Sequence, residues 1–158
     1  MRMAIAEAQA DLAITEVDTK RVGRDLPLLS EVLEGVMVDF YDHLRGTSAA
    51  VHLADAEIST LREAQRRHWL ALFGDGIDED YVRRIARVGL AHRLRDIGPE
   101  TYMKAYGWLA ARLVAEIVRL GPARNTASRT DELVSSVLKL VFLDMSMAVR
   151  AYDVALLD

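Results

Sequence analysis

Apolar residues recur three and four positions apart along almost the whole chain, and strictly alternating apolar and polar runs are hard to find. That spacing gives each of a series of helices one apolar stripe and leaves little for a sheet. The chain has 158 residues, of which 51% are hydrophobic and only three are proline. It can therefore bury a sizeable core as one unit, and the expected fold class is all-α.

Local start and stop signals divide the pattern into six or seven helices. A short one is expected from Ala4 to Leu12. Thr15 caps a second, with Asp18 placed to complete a capping box. Pro27 starts or bends a longer helix that ends near Leu44-Arg45-Gly46. Thr47 to Asp55 is a poorly periodic connection. A helix from Glu57 to Phe73 stops at Gly74-Asp75-Gly76, and Asp78 caps the next, which runs toward His92. Gly98-Pro99 opens a further helix that closes at Gly121-Pro122. After a polar loop from Ala123 to Thr130, a last helix reaches Leu157. There is no internal repeat, low-complexity tract or linker, so residues 1–158 are expected to form a single domain, with 1–14 as an N-terminal extension and 15–158 as the core.

The charge pattern removes several function classes. Net charge is −4 with no basic stripe, so no nucleic-acid partner is expected. Lys139 and Asp144 break the longest apolar run, so no membrane span is expected. The N-terminus continues into a Glu-containing helical pattern unlike a signal peptide, and cysteine is absent. Together these point to a cytoplasmic protein.

The last two helices carry unusually wide apolar faces. Tyr102, Tyr106, Leu109, Leu113, Ile117 and Leu120 form one stripe. Leu133, Val137, Leu140, Val141, Met145 and Ala148 form another, flanked by Val134, Leu138, Phe142 and Leu143. Burial within the domain and a twofold dimer through these helices both account for such faces.

The chemistry-bearing residues lie in three segments. Ile85, Val88, Gly89 and His92 share a helix face, with Arg83, Arg84 and Arg87 mostly on the other. An imidazole on an apolar face is either a hydrogen-bonded core residue or the protein ligand of a haem iron. Gly89 leaves room beside it for a flat cofactor or for a neighbouring helix. Upstream, Met37, Phe40, Tyr41 and Leu44 form a stripe that turns Tyr41 inward. Its hydroxyl needs a partner, either a backbone carbonyl or a bound diatomic gas. In the third segment Gln65 is a polar residue on the largely apolar face of Leu61, Leu72 and Phe73. His68-Trp69 has no acid or imidazole spaced to make a metal site, and His43 and His52 read as surface or loop residues.

The order Phe40-Tyr41, Leu61…Gln65…His68-Trp69…Leu72-Phe73, Asp78-Glu79-Asp80-Tyr81-Val82, Val88-Gly89…His92 and Pro99…Tyr102…Ala105-Tyr106 resembles the sensor globins. These are the haem domains of bacterial globin-coupled sensors, related to protoglobins. The similarity runs from about Leu12 to Asp158. It implies a globin-like helical fold around a haem b pocket, with an extra N-terminal helix and His92 as the proximal iron ligand. Tyr41 matches the distal tyrosine, Leu61 a distal apolar residue, and Tyr102 a tyrosine near the proximal histidine. With Phe40, Gln65 and Val88 these make up the expected cofactor-binding set. The family pattern after the histidine reads His-x-x-Ile-Gly-Leu. Here Arg95-Asp96 replaces Ile-Gly, so the proximal turn is expected to differ in shape, and Arg95 could reach a haem propionate.

The resemblance implies reversible binding of O2, and also of CO or NO. The signal would pass through a homodimer of the last two helices to an output module such as a chemoreceptor, histidine kinase or diguanylate cyclase. The helical pattern still running at Asp158 suggests a domain edge or a stand-alone sensor globin. No acid–base pair is evident, so no enzyme activity is expected. The alternatives are a haem enzyme of the NO dioxygenase or peroxidase type, and a haem-free helical dimerisation module.

Overall fold

The computed structural model describes residues 1–154, and among them every regular element is helical. Helices α1 (Arg2–Asp11), α2 (Glu16–Arg24), α3 (Leu26–Leu44), α4 (Ile58–Asp75), α5 (Glu79–Leu94), α6 (Pro99–Leu120) and α7 (Thr130–Val154) follow one another, with short 3₁₀ turns at Ser48–His52, Asp55–Glu57 and Pro122–Arg124. The expected helix end at Leu157 lies outside the described residues. No helix among those described is long and apolar enough to cross a membrane.

Caps place most of the boundaries where the sequence puts them. The Thr15 amide donates to the Asp18 carboxylate at 3.0 Å while the Thr15 hydroxyl oxygen accepts from the Val17 amide at 3.3 Å. The Asp78 carboxylate accepts from the Tyr81 amide at 2.7 Å and starts α5. Pro27 and Pro99 sit in the first turns of α3 and α6, where a missing N–H costs nothing. Asp25 is buried between α2 and α3, and accepts from the amides of Ala127 and Ser128 at 2.7 and 3.2 Å. It pins the α6–α7 loop to the opposite end of the sequence.

The turn after His92 takes the left-handed form that a glycine would allow. Asp96 has φ 56°, Ile97 N–H donates to the His92 carbonyl at 3.0 Å, and Asp96 N–H donates to the Arg93 carbonyl at 2.9 Å. This is a Schellman closure with Asp96 in the left-handed position that a glycine would favour. The short polar side chain of Asp tolerates the conformation that a bulkier residue would resist.

Helix α7 packs on α1, α2, α5 and α6, while α3 packs on α4 and α6. The wide stripes of α6 and α7 are largely accounted for inside the chain: Leu109, Leu113, Ile117, Leu133, Val137 and Leu140 are all buried. What remains outward on these helices is Phe142 of the flanking set, together with Met103 and Val118, which lie off the stripes, at 47%, 52% and 53% exposure. Helices α5 and α7 meet at Gly89. A Cβ there would run into Ala151 and come within 2.8 Å of the Ala148 carbonyl oxygen. The room beside His92 is thus taken by a neighbouring helix, and that close approach fixes α5 one turn before the imidazole.

Candidate functional site

A cavity of about 340 Å³ opens between α3, α4, α5 and α6, within the range of small-molecule sites. It brings together Phe40, Tyr41, Leu61, Gln65, Val88, His92 and Tyr102, which lie up to 62 residues apart in sequence. Trp69, Tyr106, His68, Arg87 and Arg95 complete much of the wall.

His92 stands in the last turn of α5, and its Nδ1 lies 2.7 Å from the Val88 carbonyl oxygen one turn earlier. A carbonyl only accepts, so Nδ1 carries the proton. The other ring nitrogen, Nε2, then holds a lone pair pointing away from the helix backbone. Burial lowers the imidazole pKa below its ordinary 6.5. The Val88 bond opposes that shift and the Arg95 charge adds to it. The ring therefore stays neutral near pH 7, the state that a metal ligand requires. The Tyr102 ring meets it edge-on, with centroids 4.8 Å apart and planes at 77°.

Tyr41 donates its hydroxyl proton to Gln65 Oε1 at 2.8 Å. Its partner in the protein is thus a side-chain amide from α4, neither of the two partners read from sequence. Burial pushes the phenol up to about 12, against a small opposing effect of Arg95, so it remains a donor at any physiological pH. Phe40 packs edge-on against Tyr41 at 5.2 Å. Gln65 is half-buried in the cavity wall, and the pair makes a polar spot in a mostly apolar lining.

His68 departs furthest from the sequence reading. No acid lies near it in the chain, yet α7 brings Asp144 Oδ1 to 2.7 Å from its Nε2. Asp144, which reads as a polar interruption of an apolar run, is fully buried. The only local hint was its place in the buried register of a helix with two apolar sides. Arg95 lines the cavity but is engaged by Glu57 at 3.0 Å. Arg87 also lines the cavity, is exposed, and has no ion pair among the described residues.

These features fit a flat, largely apolar cofactor carrying a metal at its centre and anionic groups at its edge. His92 offers a neutral nitrogen lone pair, the buried Tyr102 hydroxyl has no hydrogen-bond partner, and Arg87 can face anions. Among the described residues no three His, Cys, Asp or Glu side chains gather to hold a bare metal ion.

The sequence profile of the protoglobin family matches residues 3–157. The chain belongs to the protoglobin family. This protoglobin is 29% identical over 161 aligned positions to the heme-based aerotactic transducer HemAT of Halobacterium salinarum. The match covers 93% of the chain but only 32% of that longer protein. It also superposes on the globin domain of a Geobacter sulfurreducens globin-coupled sensor with a TM-score of 0.78, at 19% identity, covering 93% of this chain and 96% of that one. That likeness makes the fold globin-like and all-α, with α1 as an extra N-terminal helix.

Proposed function

We propose that this protoglobin is a haem-based gas-sensor domain that holds haem b through His92 and binds O2 reversibly. The observation that carries the proposal is the His92 Nδ1–Val88 bond at 2.7 Å, which leaves a neutral Nε2 for a cavity also lined by the Tyr41–Gln65 pair. Haem, when bound, supplies an iron centre with one position open to a diatomic gas. Val88 fixes the imidazole tautomer through its carbonyl and, with Phe40, Leu61 and Trp69, keeps water from the pocket. Tyr41 and Gln65 hold polar hydrogens where a ligand with partial negative charge gains from them, which favours O2 over CO. Tyr102 braces the imidazole edge-on and limits its rotation.

The HemAT relative is a transducer by name, and this chain matches about a third of it. We assign the chain, on that basis, to the input role: residues 15–158 form the globin core and 1–14 its extension. The signal passes through a homodimer of α6 and α7, whose outward Met103, Val118 and Phe142 favour such a contact, to an output module. An open cavity argues against a haem-free bundle, which would fill the slot with side chains.

The test is an absorption spectrum of the purified protein in ferric, ferrous and oxygen-equilibrated states. A Soret band that moves on reduction, moves again with oxygen and returns on removing oxygen is expected. A folded, colourless protein that takes up no haemin would overturn the proposal.

A further inference from the structure

Four helices converge on one carboxylate that the gas-binding reading does not use. Asp144 of α7 accepts through Oδ1 from His68 Nε2 of α4 at 2.7 Å and from the Tyr81 hydroxyl of α5 at 3.0 Å. Through Oδ2 it accepts from the Tyr106 hydroxyl of α6 at 2.6 Å. A fully buried carboxylate is costly unless donors satisfy it, and here three do. An apolar residue would spare the cost of a buried charge but would strand the three donors that Asp144 satisfies. What the carboxylate adds is a fixed arrangement of the groups around it.

The cluster lies two packing steps from His92. The Tyr106 ring rests on the Tyr102 ring with centroids 4.6 Å apart, and Tyr102 meets His92 edge-on at 4.8 Å. Tyr102 and Tyr106 stand one helical turn apart on α6, so each restricts the other's rotation. The Tyr102 hydroxyl is buried with no partner in good hydrogen-bond geometry, so its contact with Tyr106 is a main restraint on that ring. Tyr106 is the anchored member of the pair.

We propose that Asp144 is a positioning residue for the His92 site: by fixing Tyr106, and through it the Tyr102 ring, it sets how the imidazole is presented to the cavity and ties that presentation to α7. The proposal rests on His92 being the haem ligand. It gives the pocket a route to a helix whose Phe142, two residues before Asp144, faces outward.

The test compares Tyr106→Phe, Asp144→Asn, their double variant and Tyr81→Phe. In haem-free protein, NMR signals of the His92 ring protons report the edge-on Tyr102 ring. They are expected to shift in the same direction in Tyr106→Phe and Asp144→Asn, and no further in the double variant than in Asp144→Asn. Tyr81→Phe removes a donor from the same carboxylate but leaves the Tyr106 bond, so His92 signals are expected to stay in place. In the haem-loaded ferrous protein the iron–His92 stretching band is expected to move in step. Unmoved His92 signals, additive effects, or an equal shift in Tyr81→Phe would overturn the proposal. Tyr106→Phe loses one oxygen and keeps its ring, so it decides the matter alone if Asp144→Asn does not fold. A wild-type chain that refuses haemin would sink the haem reading, while the haem-free spectra still judge the Asp144 relay.

Discussion

Replacing Tyr41 by Phe removes one oxygen atom, the donor to Gln65 at 2.8 Å, and leaves the ring packed against Phe40. A hydroxyl proton given to a ligand with developing negative charge contributes roughly 1.5–3 kcal/mol, and withdrawing it from a neutral amide costs about 1 kcal/mol. The net loss of ligand stabilisation is therefore about 1 kcal/mol, or about fivefold, since about 1.4 kcal/mol is tenfold. Oxygen release, followed by stopped-flow mixing of the oxygenated protein with a scavenger, is expected to speed up about fivefold. CO accepts hydrogen bonds weakly, and its release should change little. The companion variant Gln65→Leu frees the Tyr41 proton, so oxygen release there should slow. An unchanged oxygen rate in Tyr41→Phe, or an equal change for CO, would refute the reasoning. Faster release in both variants would make the Gln65 amide the donor.

The closeness of α5 and α7 makes Gly89→Ala destabilising. The clash is with backbone as well as side chain, so overpacking toward the upper end of about 1–3 kcal/mol outweighs the helix-propensity gain of up to ~1 kcal/mol, and urea melts should show a net loss of up to about 2 kcal/mol. Gly107→Ala, on α6 with nothing near its added Cβ, should instead gain up to ~1 kcal/mol. Asp96→Gly relieves a positive φ and should raise the melting temperature by about 2–4 °C per kcal/mol recovered. The His92 pKa is lowered by folding, so its stabilising contribution is complete above about 6.5 and is lost as pH falls through the lower folded value. Haem-free melts should weaken over that window, and His92→Gln should flatten the slope.

Signals confined to a few neighbouring residues were legible in the sequence. The Thr15–Asp18 box, the Asp78 cap and Pro99 all act within one turn, and the structure puts helix starts at each. The inward faces of Tyr41, His92 and Tyr102 were legible too, because helical periodicity fixes which side a residue occupies. Partners were not. Tyr41 meets Gln65 across 24 residues, and His68 meets Asp144 across 76, through packing that no local pattern encodes. Asp144 shows the limit most clearly. As one acid in an apolar run it reads as a solvated break, and only the three donors that reach it make burial tolerable. The conformation of Asp96 is also not legible from its identity: glycine is the preferred left-handed residue after a helix, but a short polar side chain also serves.

Ligation by His92 is tested most directly with the His92→Gly variant loaded with haemin, with and without added imidazole. The expected result is loss of the wild-type Soret band and of the ferrous iron–imidazole stretching band, both restored when free imidazole enters the vacated slot. A His92→Gly protein that keeps the wild-type Soret and stretching bands without imidazole would contradict it.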